Sequence, residues 1–390
     1  MLIQRLAIVL ASLWLSVAGA ASDPITPAPP QLDARAYLLV DARTGRVLVD
    51  HNSGLRLPPA SLTKIMTSYI SALELQKGTI SLNDEVPVSV KAWRMKGSLM
   101  FIQEGTRVKL EDILRGIIIQ SGNDASVALA EHIAGSEDVF ADLMNQHALR
   151  LDMLDTSFVN ATGWPHEDHY TSAKDLAKLT RVLIERFPEH YKIYSEKTFT
   201  YNEISQMNRN KLLFRDQTVD GVKTGHTEAA GYCLVTSAMR NGMRLIAVVM
   251  GASTEAGRTR ESQKLLAYGF RYYETVDLYA QNESLRKLRV WGGAHSSINL
   301  GLVDDVVVTI ARGTRDNLKA NMEIDSEIHA PLKKGQELGN LTVTVGSTEI
   351  VKQSLVALNA VEEAGFFGRF WDAISLFFLK VFGGDPLRIK

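Results

Sequence analysis

Pro58-Pro59-Ala60-Ser61-Leu62-Thr63-Lys64 introduces a stretch, Leu62 to Leu75, in which apolar residues recur at helical spacing. The prolines mark the point where the chain enters this helix, and residues three positions apart lie on the same helical face. Ser61 and Lys64 are therefore predicted to lie side by side in the first turn. The Ser-x-x-Lys pattern alone is a weak signal, because it recurs at Ser284 to Lys287.

Two further short motifs follow the first. Ser121-Gly122-Asn123 connects two helical stretches at about 110–119 and 124–133, and Lys223-Thr224-Gly225 precedes the strand-like run Gly231 to Ala238. A second Ser-x-Asn occurs at Ser297 to Asn299, but no second Lys-Thr-Gly follows it. The ordered set predicts one cleft at which all three motifs meet.

The residue types in these motifs fit nucleophilic cleavage of an amide. That reaction needs a nucleophile, a base, an acid for the departing amine and dipoles for the oxyanion. We expect Ser61 to be the nucleophile, and Lys64 the base if burial and a nearby cation, Lys223, lower its pKa. Ser121 can pass a proton to the amine, and Asn123 can hold Lys64 or the substrate backbone.

The third motif has the features of a substrate-binding strand edge. An extended peptide can pair with such an edge, Gly225 permits close backbone approach, and Lys223 and Thr224 can bind a carboxylate. Taken singly, the residues of the three motifs have ordinary structural explanations, namely a helix cap, a solvated lysine and a turn. Their order and context together favour the chemical interpretation.

Composition narrows the class of protein. The chain has 390 residues, 45% hydrophobic and 22% charged, with a net charge of −1. This length predicts two folded units. The net charge is not positive, so it does not favour a nucleic-acid partner. The single cysteine, Cys233, lies in an apolar run and is predicted to be a core residue. His166 and His169 are a weak metal candidate beside Pro165, so we expect no metal and no cofactor.

The N-terminus has the features of a secretory signal. Arg5 precedes the apolar run Leu6 to Val17, and Ala18-Gly19-Ala20 is a small-residue cleavage site. Residues 1–20 are therefore predicted to be a signal peptide and residues 21–35 a linker. The alternative is a membrane anchor or a buried helix, although the run is short for a span of about 20 residues.

Strand patterns flank a helical middle between residues 36 and 276. This order predicts an α/β (α+β) domain with an antiparallel sheet and an inserted helical cluster. Strand runs at Val306 to Ile310 and Leu341 to Val345 predict a small all-β domain over residues 277–362.

Residues 363–390 are predicted to form an amphipathic helix and a tail. Between Phe366 and Phe382 most aromatic and aliphatic residues fall on one helical face. The opposite face carries Arg369, Asp372 and Lys380, which argues against a membrane-spanning helix. We expect an interfacial helix in the membrane plane, and the alternative is a helix docked on the β domain.

Beyond the three motifs, the chain resembles the low-molecular-mass penicillin-binding proteins, specifically the D-alanyl-D-alanine carboxypeptidases of the penicillin-binding protein 5 group. Asp220 to Thr227, Gly231-Tyr232 and Tyr268 to Thr275 carry this resemblance. It implies a serine β-lactamase/penicillin-binding transpeptidase-like fold for the first domain. It also implies removal of the terminal D-alanine from peptidoglycan pentapeptides, with β-lactams as covalent inhibitors.

The resemblance also implies roles for individual residues. Ser61 is then the acylated nucleophile, Lys64 its base, Ser121 the proton relay and Asn123 the residue that positions Lys64 and substrate. The resemblance implies that Lys223, Thr224 and Arg258 bind the substrate carboxylate. It also implies that the backbone N–H groups of Ser61 and of His226, which is next to Gly225, form the oxyanion hole.

The expected location is the periplasm, on the outer face of the inner membrane. Three alternatives stay open at this stage. The same site fits a D,D-endopeptidase, or a β-lactamase if Glu167 supplies the base for deacylation. A non-catalytic peptidoglycan- or partner-binding protein is the third, although no motif residue is missing.

Overall fold

The computed structural model describes residues 26–389, so the predicted signal peptide lies outside the described residues. A five-stranded antiparallel sheet with the order β2-β1-β9-β8-β7 forms the centre of the first domain. Short strand pairs lie outside this sheet. The strands are β1 (Ala36–Asp41), β2 (Val47–His51), β3 (Glu85–Pro87), β4 (Arg107–Lys109), β5 (Thr198–Tyr201), β6 (Ile204–Met207), β7 (Val219–Thr227), β8 (Gly231–Arg240) and β9 (Met243–Ala252).

The central strands are apolar because both faces of the sheet are covered. Successive side chains of a strand point to opposite faces, and in β8 Cys233 and Val235 enter the core beneath the helical cluster. Leu234, between them, enters a second core against the helix α9 (Glu255–Tyr272). This alternation explains why β8 and β9 are nearly continuous hydrophobic runs.

The helical cluster covers one face of the sheet and carries two of the three motifs. A 3-10 turn (Ala60–Thr63) leads into α1, and a π-helical turn (Gly116–Gln120) separates α3 from α4. The helix at 110–119 is thus α-helical only in its first part. The remaining helices of the domain are α1 (Lys64–Lys77), α2 (Val90–Trp93), α3 (Leu110–Arg115), α4 (Asn123–Ala134), α5 (Glu137–Arg150), α6 (Ala173–Arg186), α7 (Pro188–Tyr191) and α8 (Leu212–Arg215).

A smaller β domain follows α9 directly. The strand β10 begins at Tyr273, before the predicted boundary at 277, because it already pairs with β13. Five other strands form an antiparallel sheet with the order β11-β12-β16-β15-β14. The strands are β10 (Tyr273–Tyr279), β11 (Arg286–Arg289), β12 (Ser297–Gly301), β13 (Val306–Ala311), β14 (Leu318–Ile324), β15 (Glu337–Val345) and β16 (Thr348–Ala357).

A buried carboxylate joins the two domains. Asp41, at the end of β1, has no exposed surface and accepts hydrogen bonds from the hydroxyls of Thr275 and Thr309, both in the β domain. The neighbouring Thr44 hydroxyl also contacts Thr309, and Arg43 pairs with Asp277. Buried polar groups keep their hydrogen bonds, so this contact holds the β1–β2 turn against the second domain.

The helix α10 (Phe366–Val381) ends the described chain and packs on the β domain by its polar side. Asp372 accepts from Arg289 at 2.6 Å and from the Gly292 backbone N–H at 2.8 Å. Lys380 pairs with Glu327 at 2.5 Å. Among the described residues no helix is long and apolar enough to cross a membrane.

Candidate active site

Lys64 lies where the first two motifs meet. It is the first residue of α1 and its side chain is buried. Its Nζ atom is 3.1 Å from Ser61 Oγ, 2.7 Å from Asn123 Oδ1 and 2.6 Å from the carbonyl oxygen of Thr162. The structure therefore brings the predicted serine, lysine and asparagine together, and adds a carbonyl group from a loop that the motifs do not include.

The hydrogen bonds of Lys64 constrain its lone pair. Asn123 Nδ2 donates to the Lys96 carbonyl at 2.7 Å, so Asn123 Oδ1 faces Lys64. This oxygen and the Thr162 carbonyl can only accept. A neutral lysine amine has two N–H groups and one lone pair, so donation to these two oxygens leaves the lone pair for Ser61. Of the three partners, only the Ser61 hydroxyl has a proton to donate.

The electrostatics of the site favour a neutral lysine. Burial, together with the positive charge of Arg209, lowers the pKa of Lys64 to about 7. Sequence reasoning assigned the cation's role to Lys223, which does interact with Lys64, and the structure adds Arg209 as a second cation that acts on Lys64. The pKa of Lys223 is itself lowered, first by burial and then by Lys64. Arg209 was missed because it lies in no motif and reaches the site only through the fold.

A tight turn presents Ser61. Ala60 adopts a left-handed conformation, with φ of 47°, at the start of the 3-10 turn. Thr63 Oγ1 donates to the Ala60 carbonyl at 2.8 Å and contacts His169 Nε2, also at 2.8 Å. Gly163 packs directly against Ala60 from the facing loop. The turn is thus held from both sides while the Ser61 side chain stays partly exposed.

The second motif follows the π-helical turn. Ser121 has φ of 70°, is buried, and its hydroxyl has no hydrogen-bond partner among the residues that the structure describes. Asp124, three residues after Ser121, accepts hydrogen bonds from the backbone N–H groups of Met100 and Phe101 at 2.9 and 2.8 Å. The buried carboxylate therefore fixes the neighbouring loop, and it is a second residue that sequence reasoning missed.

The third motif lies on β7, the edge strand of the sheet next to β8. Lys223 and Thr224 are buried, and Lys223 Nζ donates to the Thr224 carbonyl at 3.2 Å. A Cβ atom on Gly225 would lie 2.9 Å from the Pro59 carbonyl oxygen. Glycine therefore lets β7 approach the turn that carries Ser61, whereas the sequence analysis assigned Gly225 to close approach of a substrate backbone.

His226 and Arg258 flank this edge. The His226 side chain is exposed and its ring stacks on Tyr232 with centroids 4.0 Å apart. Arg258 lies on α9, is 6% exposed, and donates through Nη1 to the Gly225 carbonyl at 3.1 Å. Burial lowers the pKa of Arg258. The guanidinium thus lies behind the strand and fixes its backbone.

His166 and His169, which sequence analysis gave as a weak metal candidate, have other surroundings in the structure. His169 is buried between Thr63 and the Val159 backbone N–H, which donates to Nδ1 at 3.2 Å. His166 is exposed and 3.8 Å from Asp168. Within residues 26–389 no group of three or more His, Cys, Asp or Glu side chains has the arrangement of a metal site. Cys233 is buried as predicted, and burial raises its pKa to about 11.

Comparison with known proteins identifies the class to which this fold and site belong. Residues 23–254 match the D-alanyl-D-alanine carboxypeptidase family, and residues 273–363 match the C-terminal domain of penicillin-binding protein 5. The chain belongs to this family of serine D-Ala-D-Ala carboxypeptidases. The predicted fold class is confirmed, with a peptidase α/β domain, an all-β domain and the helix α10.

Particular relatives cover almost the whole chain. D-alanyl-D-alanine carboxypeptidase DacC of Escherichia coli is 43% identical over 390 residues, 98% of both chains. DacA of the same organism is 41% identical over 395 residues, again 98% of both. The crystal structure of penicillin-binding protein 5 from Haemophilus influenzae superposes with a TM-score of 0.82 at 41% identity, covering 86% of this chain and 100% of that one. The predicted enzyme class, a serine-type D-Ala-D-Ala carboxypeptidase, is therefore confirmed.

Proposed function

We propose that Ser61 is the acylated nucleophile of this carboxypeptidase and Lys64 its general base. The observation that carries the proposal is the set of partners of Lys64 Nζ, of which only Ser61 Oγ can donate a proton. As Ser61 attacks the carbonyl carbon between the two D-alanines, its proton passes to Lys64. The oxyanion of the tetrahedral intermediate is stabilised by the backbone N–H groups of Ser61 and His226.

Ser121 is proposed to relay the proton to the leaving group. The intermediate collapses when the C–N bond breaks, and the nitrogen of the terminal D-alanine takes a proton from Lys64 through the Ser121 hydroxyl. Water then attacks the acyl-enzyme, and the peptide leaves one residue shorter. A buried hydroxyl without a partner in the described chain supports this role, because such a group costs free energy unless a ligand or water completes its hydrogen bonds. Asn123 holds Lys64 in place.

Substrate binding is proposed to use the edge strand β7. A peptide that pairs with this edge brings its C-terminal carboxylate to Lys223 and Thr224. Gly225 lets this strand lie close to the turn that carries Ser61, so a peptide paired with β7 lies near the nucleophile. Arg258 adds positive charge behind Gly225, and it holds the carbonyl of that residue, so the backbone at the oxyanion site is fixed from the far side.

A β-lactamase is disfavoured by the loop around Thr162. Such an enzyme needs a base that activates water for fast deacylation, and Glu167 is the candidate. Glu167 is exposed, whereas the group that this loop directs at Lys64 is the carbonyl of Thr162. A carbonyl oxygen cannot take a proton from water at neutral pH. We therefore propose that β-lactams acylate Ser61 and remain bound.

A relative offers support for β-lactam binding. Penicillin-binding protein D2 of Listeria monocytogenes, 29% identical with a TM-score of 0.58, has been crystallised in the ampicillin-bound form. It covers 63% of this chain. The D,D-endopeptidase alternative shares the same chemistry and differs only in the peptide that the cleft admits.

The helix α10 is proposed to attach the protein to a membrane surface. Its polar face is engaged by Arg289, Gly292 and Glu327 of the β domain. Leu376 is buried, but eight large apolar side chains of the helix and of the residue that follows it stay 51 to 81% exposed, an arrangement suited to burial in lipid. The exposed side chains are Phe366, Phe367, Phe370, Trp371, Phe377, Phe378, Val381 and Phe382. A helix docked on the β domain and a helix bound to the membrane surface are thus compatible alternatives, because α10 docks on the β domain by one face and leaves the other face exposed.

The proposed location is the periplasm, on the outer face of the inner membrane. It depends on the signal peptide over residues 1–20. We further propose as units of the mature protein the linker 21–35, the peptidase domain 36–272, the β domain 273–362, whose start moves from the predicted residue 277 to the first residue of β10, and the membrane-attached segment 363–390. The expected substrate is the peptidoglycan pentapeptide.

The test uses the mature chain without residues 1–20. Diacetyl-Lys-D-Ala-D-Ala is supplied, released D-alanine is measured, and a fluorescent penicillin reports acylation. We expect both signals in the parent protein and neither in Ser61→Ala. Labelling without D-alanine release would contradict the carboxypeptidase and point to an endopeptidase. D-alanine release that persists in Ser61→Ala would exclude Ser61 as the nucleophile.

A further inference from the structure

A second cleft opens beside the catalytic residues. It has a volume of about 340 Å³ and is lined by residues of two facing loops and of α5, namely Arg94, Met95, Lys96, Glu137, Asn160, Thr162 and Trp164. Two of these residues also hold the catalytic groups through their backbones. The Thr162 carbonyl accepts from Lys64, and the Lys96 carbonyl accepts from Asn123. A molecule bound in this cleft would therefore contact residues that hold Lys64 and Asn123.

The cleft carries uncompensated positive charge. Its one carboxylate, Glu137, is 9% exposed at the side chain, pairs with Lys91 at 2.9 Å and accepts from the Ala161 backbone N–H at 3.1 Å. Arg94 and Lys96 are exposed, and neither side chain forms a hydrogen bond or an ion pair with any residue in the range 26–389. A cleft lined by charge of one sign attracts ligand groups of the opposite sign.

An aromatic ring forms one wall of the cleft and is held in position. Trp164 is 46% exposed, although its backbone is fixed. Asn160 Oδ1 accepts from the N–H groups of Gly163 and Trp164 at 2.8 and 3.1 Å, and Asn160 Nδ2 donates to the Trp164 carbonyl at 3.0 Å. On the opposite loop, a Cβ atom at Gly97 would lie 3.7 Å from the indole. A fixed, exposed indole suits the aliphatic part of a peptide.

We propose that this cleft binds the part of the donor peptide that precedes D-Ala-D-Ala, and that Arg94 and Lys96 select peptides with a carboxylate there. The proposal rests on the proposed function, because it assumes that the C-terminal carboxylate occupies the Lys223 region. Once the D-Ala-D-Ala end is held there, the rest of the chain must leave past Ser61. The basic cleft, with its backbone links to Lys64 and Asn123, lies at that place.

The test compares peptides that differ by one charge. Acetyl-Glu-Lys(acetyl)-D-Ala-D-Ala and its Gln counterpart form one pair, and acetyl-Glu-D-Ala-D-Ala and acetyl-Gln-D-Ala-D-Ala form the other. We expect kcat/KM for the acidic peptide of at least one pair to exceed that of the amide by about fivefold to tenfold at low salt. The preference should fall as salt screens the charges. An acid-to-amide ratio of one in both pairs would overturn the proposal.

Matched variants locate the effect. Arg94→Gln/Lys96→Gln should reduce the acid-to-amide ratio to about one, and this ratio is the readout because both peptides of a pair are cleaved by the same variant. Lys333→Gln/Lys334→Gln removes the same charge from the β domain and should keep the preference. A ratio that survives in the Arg94/Lys96 variant would refute the assignment. If the parent protein shows no Ser61-dependent release of D-alanine from the uncharged peptide, the proposed function itself has failed.

A further experiment distinguishes a cleft that recognises a carboxylate from one that recognises a phosphate group. Pyrophosphate is added at constant ionic strength, with the uncharged tripeptide as substrate. Weak or no inhibition is expected if the cleft is shaped for a peptide carboxylate. Strong inhibition that the Arg94/Lys96 variant abolishes, together with no preference for the acidic peptides, would assign the cleft to a phosphate group and overturn the proposal.

Discussion

Gly163 lies so close to Ala60 that a Cβ atom added to it would be 1.8 Å from the Ala60 carbonyl oxygen. Gly163 also has φ of 84°, a conformation that side chains with a Cβ rarely adopt. One residue earlier, Thr162 binds Lys64, and one residue after Ala60 is Ser61. The loop and the turn that hold the two halves of the nucleophile–base pair therefore meet at a glycine.

Gly163→Ala is expected to displace Ser61 relative to Lys64. The left-handed conformation costs about 1–2 kcal/mol for a residue with a side chain, and the contact with Ala60 forces the loop to move. A displacement of about 1 Å in such a site reduces the rate about 100-fold, so the rate of acylation by a fluorescent penicillin should fall by this factor. The measurement is a stopped-flow or gel time course.

Gly78→Ala is the matched control for Gly163→Ala. Gly78 ends α1 with φ of 74°, and an added Cβ would meet nothing within 4 Å. It should lower the free energy of unfolding by about 1 kcal/mol, because the left-handed conformation disfavours a residue with a Cβ atom, and leave the acylation rate unchanged. Equal loss of acylation in both variants would mean that general destabilisation, and not the contact with Ala60, is responsible.

The pH dependence of acylation should report Lys64. Because the base must be deprotonated and its pKa is about 7, kcat/KM should rise as pH increases through that value and be lost below it. Arg209→Gln removes a cation that disfavours the protonated amine. The pKa of Lys64 should therefore rise, and the acidic limb should move to higher pH. Steady-state rates across a pH series provide the measurement.

Arg215→Gln removes the same charge from an exposed position on the neighbouring helix α8. Its acidic limb should coincide with that of the parent enzyme. An unmoved limb in Arg209→Gln would show that the charge of Arg209 does not reach Lys64. A limb moved to lower pH would reverse the sign of the interaction derived from the structure.

Asp124→Asn should loosen the loop from Met100 to Ile102. The carboxylate accepts backbone N–H groups through both oxygens, from Met100 at 2.9 Å and from Phe101 and Ile102 at 2.8 and 3.2 Å. An amide has only one accepting oxygen, so the free energy of unfolding should fall by about 1–3 kcal/mol. Urea titration is the measurement. Asp112→Asn, on α3, should change it by about 0.5 kcal/mol or less, and an equal change in both would refute the special role of Asp124.

The exposed rings of α10 should control membrane binding. Phe367 and Trp371 are 76 and 64% exposed, and burying one such side chain in lipid contributes about 2 kcal/mol. Phe367→Ser/Trp371→Ser should weaken binding to phosphatidylethanolamine–phosphatidylglycerol vesicles by about 100-fold or more. Co-sedimentation measures this. Val303→Ser, at an exposed apolar position of the β domain, should have no effect, and unchanged binding in the double variant would remove α10 from the membrane contact.

Much of the fold could be predicted from the sequence, because the spacing of apolar residues follows which side chains are buried. The apolar positions of Leu62 to Leu75 predicted α1, and the apolar run Gly231 to Ala238 predicted the strand β8. The neighbourhood of Ser61 and Lys64 follows from helical spacing alone. The location of the helix boundaries was less accurate, since the π-helical turn before Ser121 and the early start of β10 at Tyr273 depend on tertiary contacts.

The parts that sequence reasoning missed share one physical cause. Thr162 contacts Lys64 through its backbone, so its side-chain identity carries no signal. Arg209 acts through space from a loop, and Asp124 acts on backbone N–H groups of a distant segment. The alternatives for α10 were undecidable from the sequence, because an amphipathic pattern is the same whether the polar face meets water or the Arg289 region of a second domain.

The buried contact of Asp41 with Thr275 and Thr309 has a consequence for how far the enzyme reaches. It replaces a free joint by a fixed one between the sheet that carries the cleft and the domain that carries α10. Asp41→Ala should broaden the range of heights measured by neutron reflectometry for protein bound to a supported bilayer, and an unchanged range would contradict this. With α10 in the lipid surface, as proposed above, this contact would set the distance from the bilayer to Ser61, and we expect the enzyme to act on D-Ala-D-Ala ends within one layer at a fixed height above the membrane.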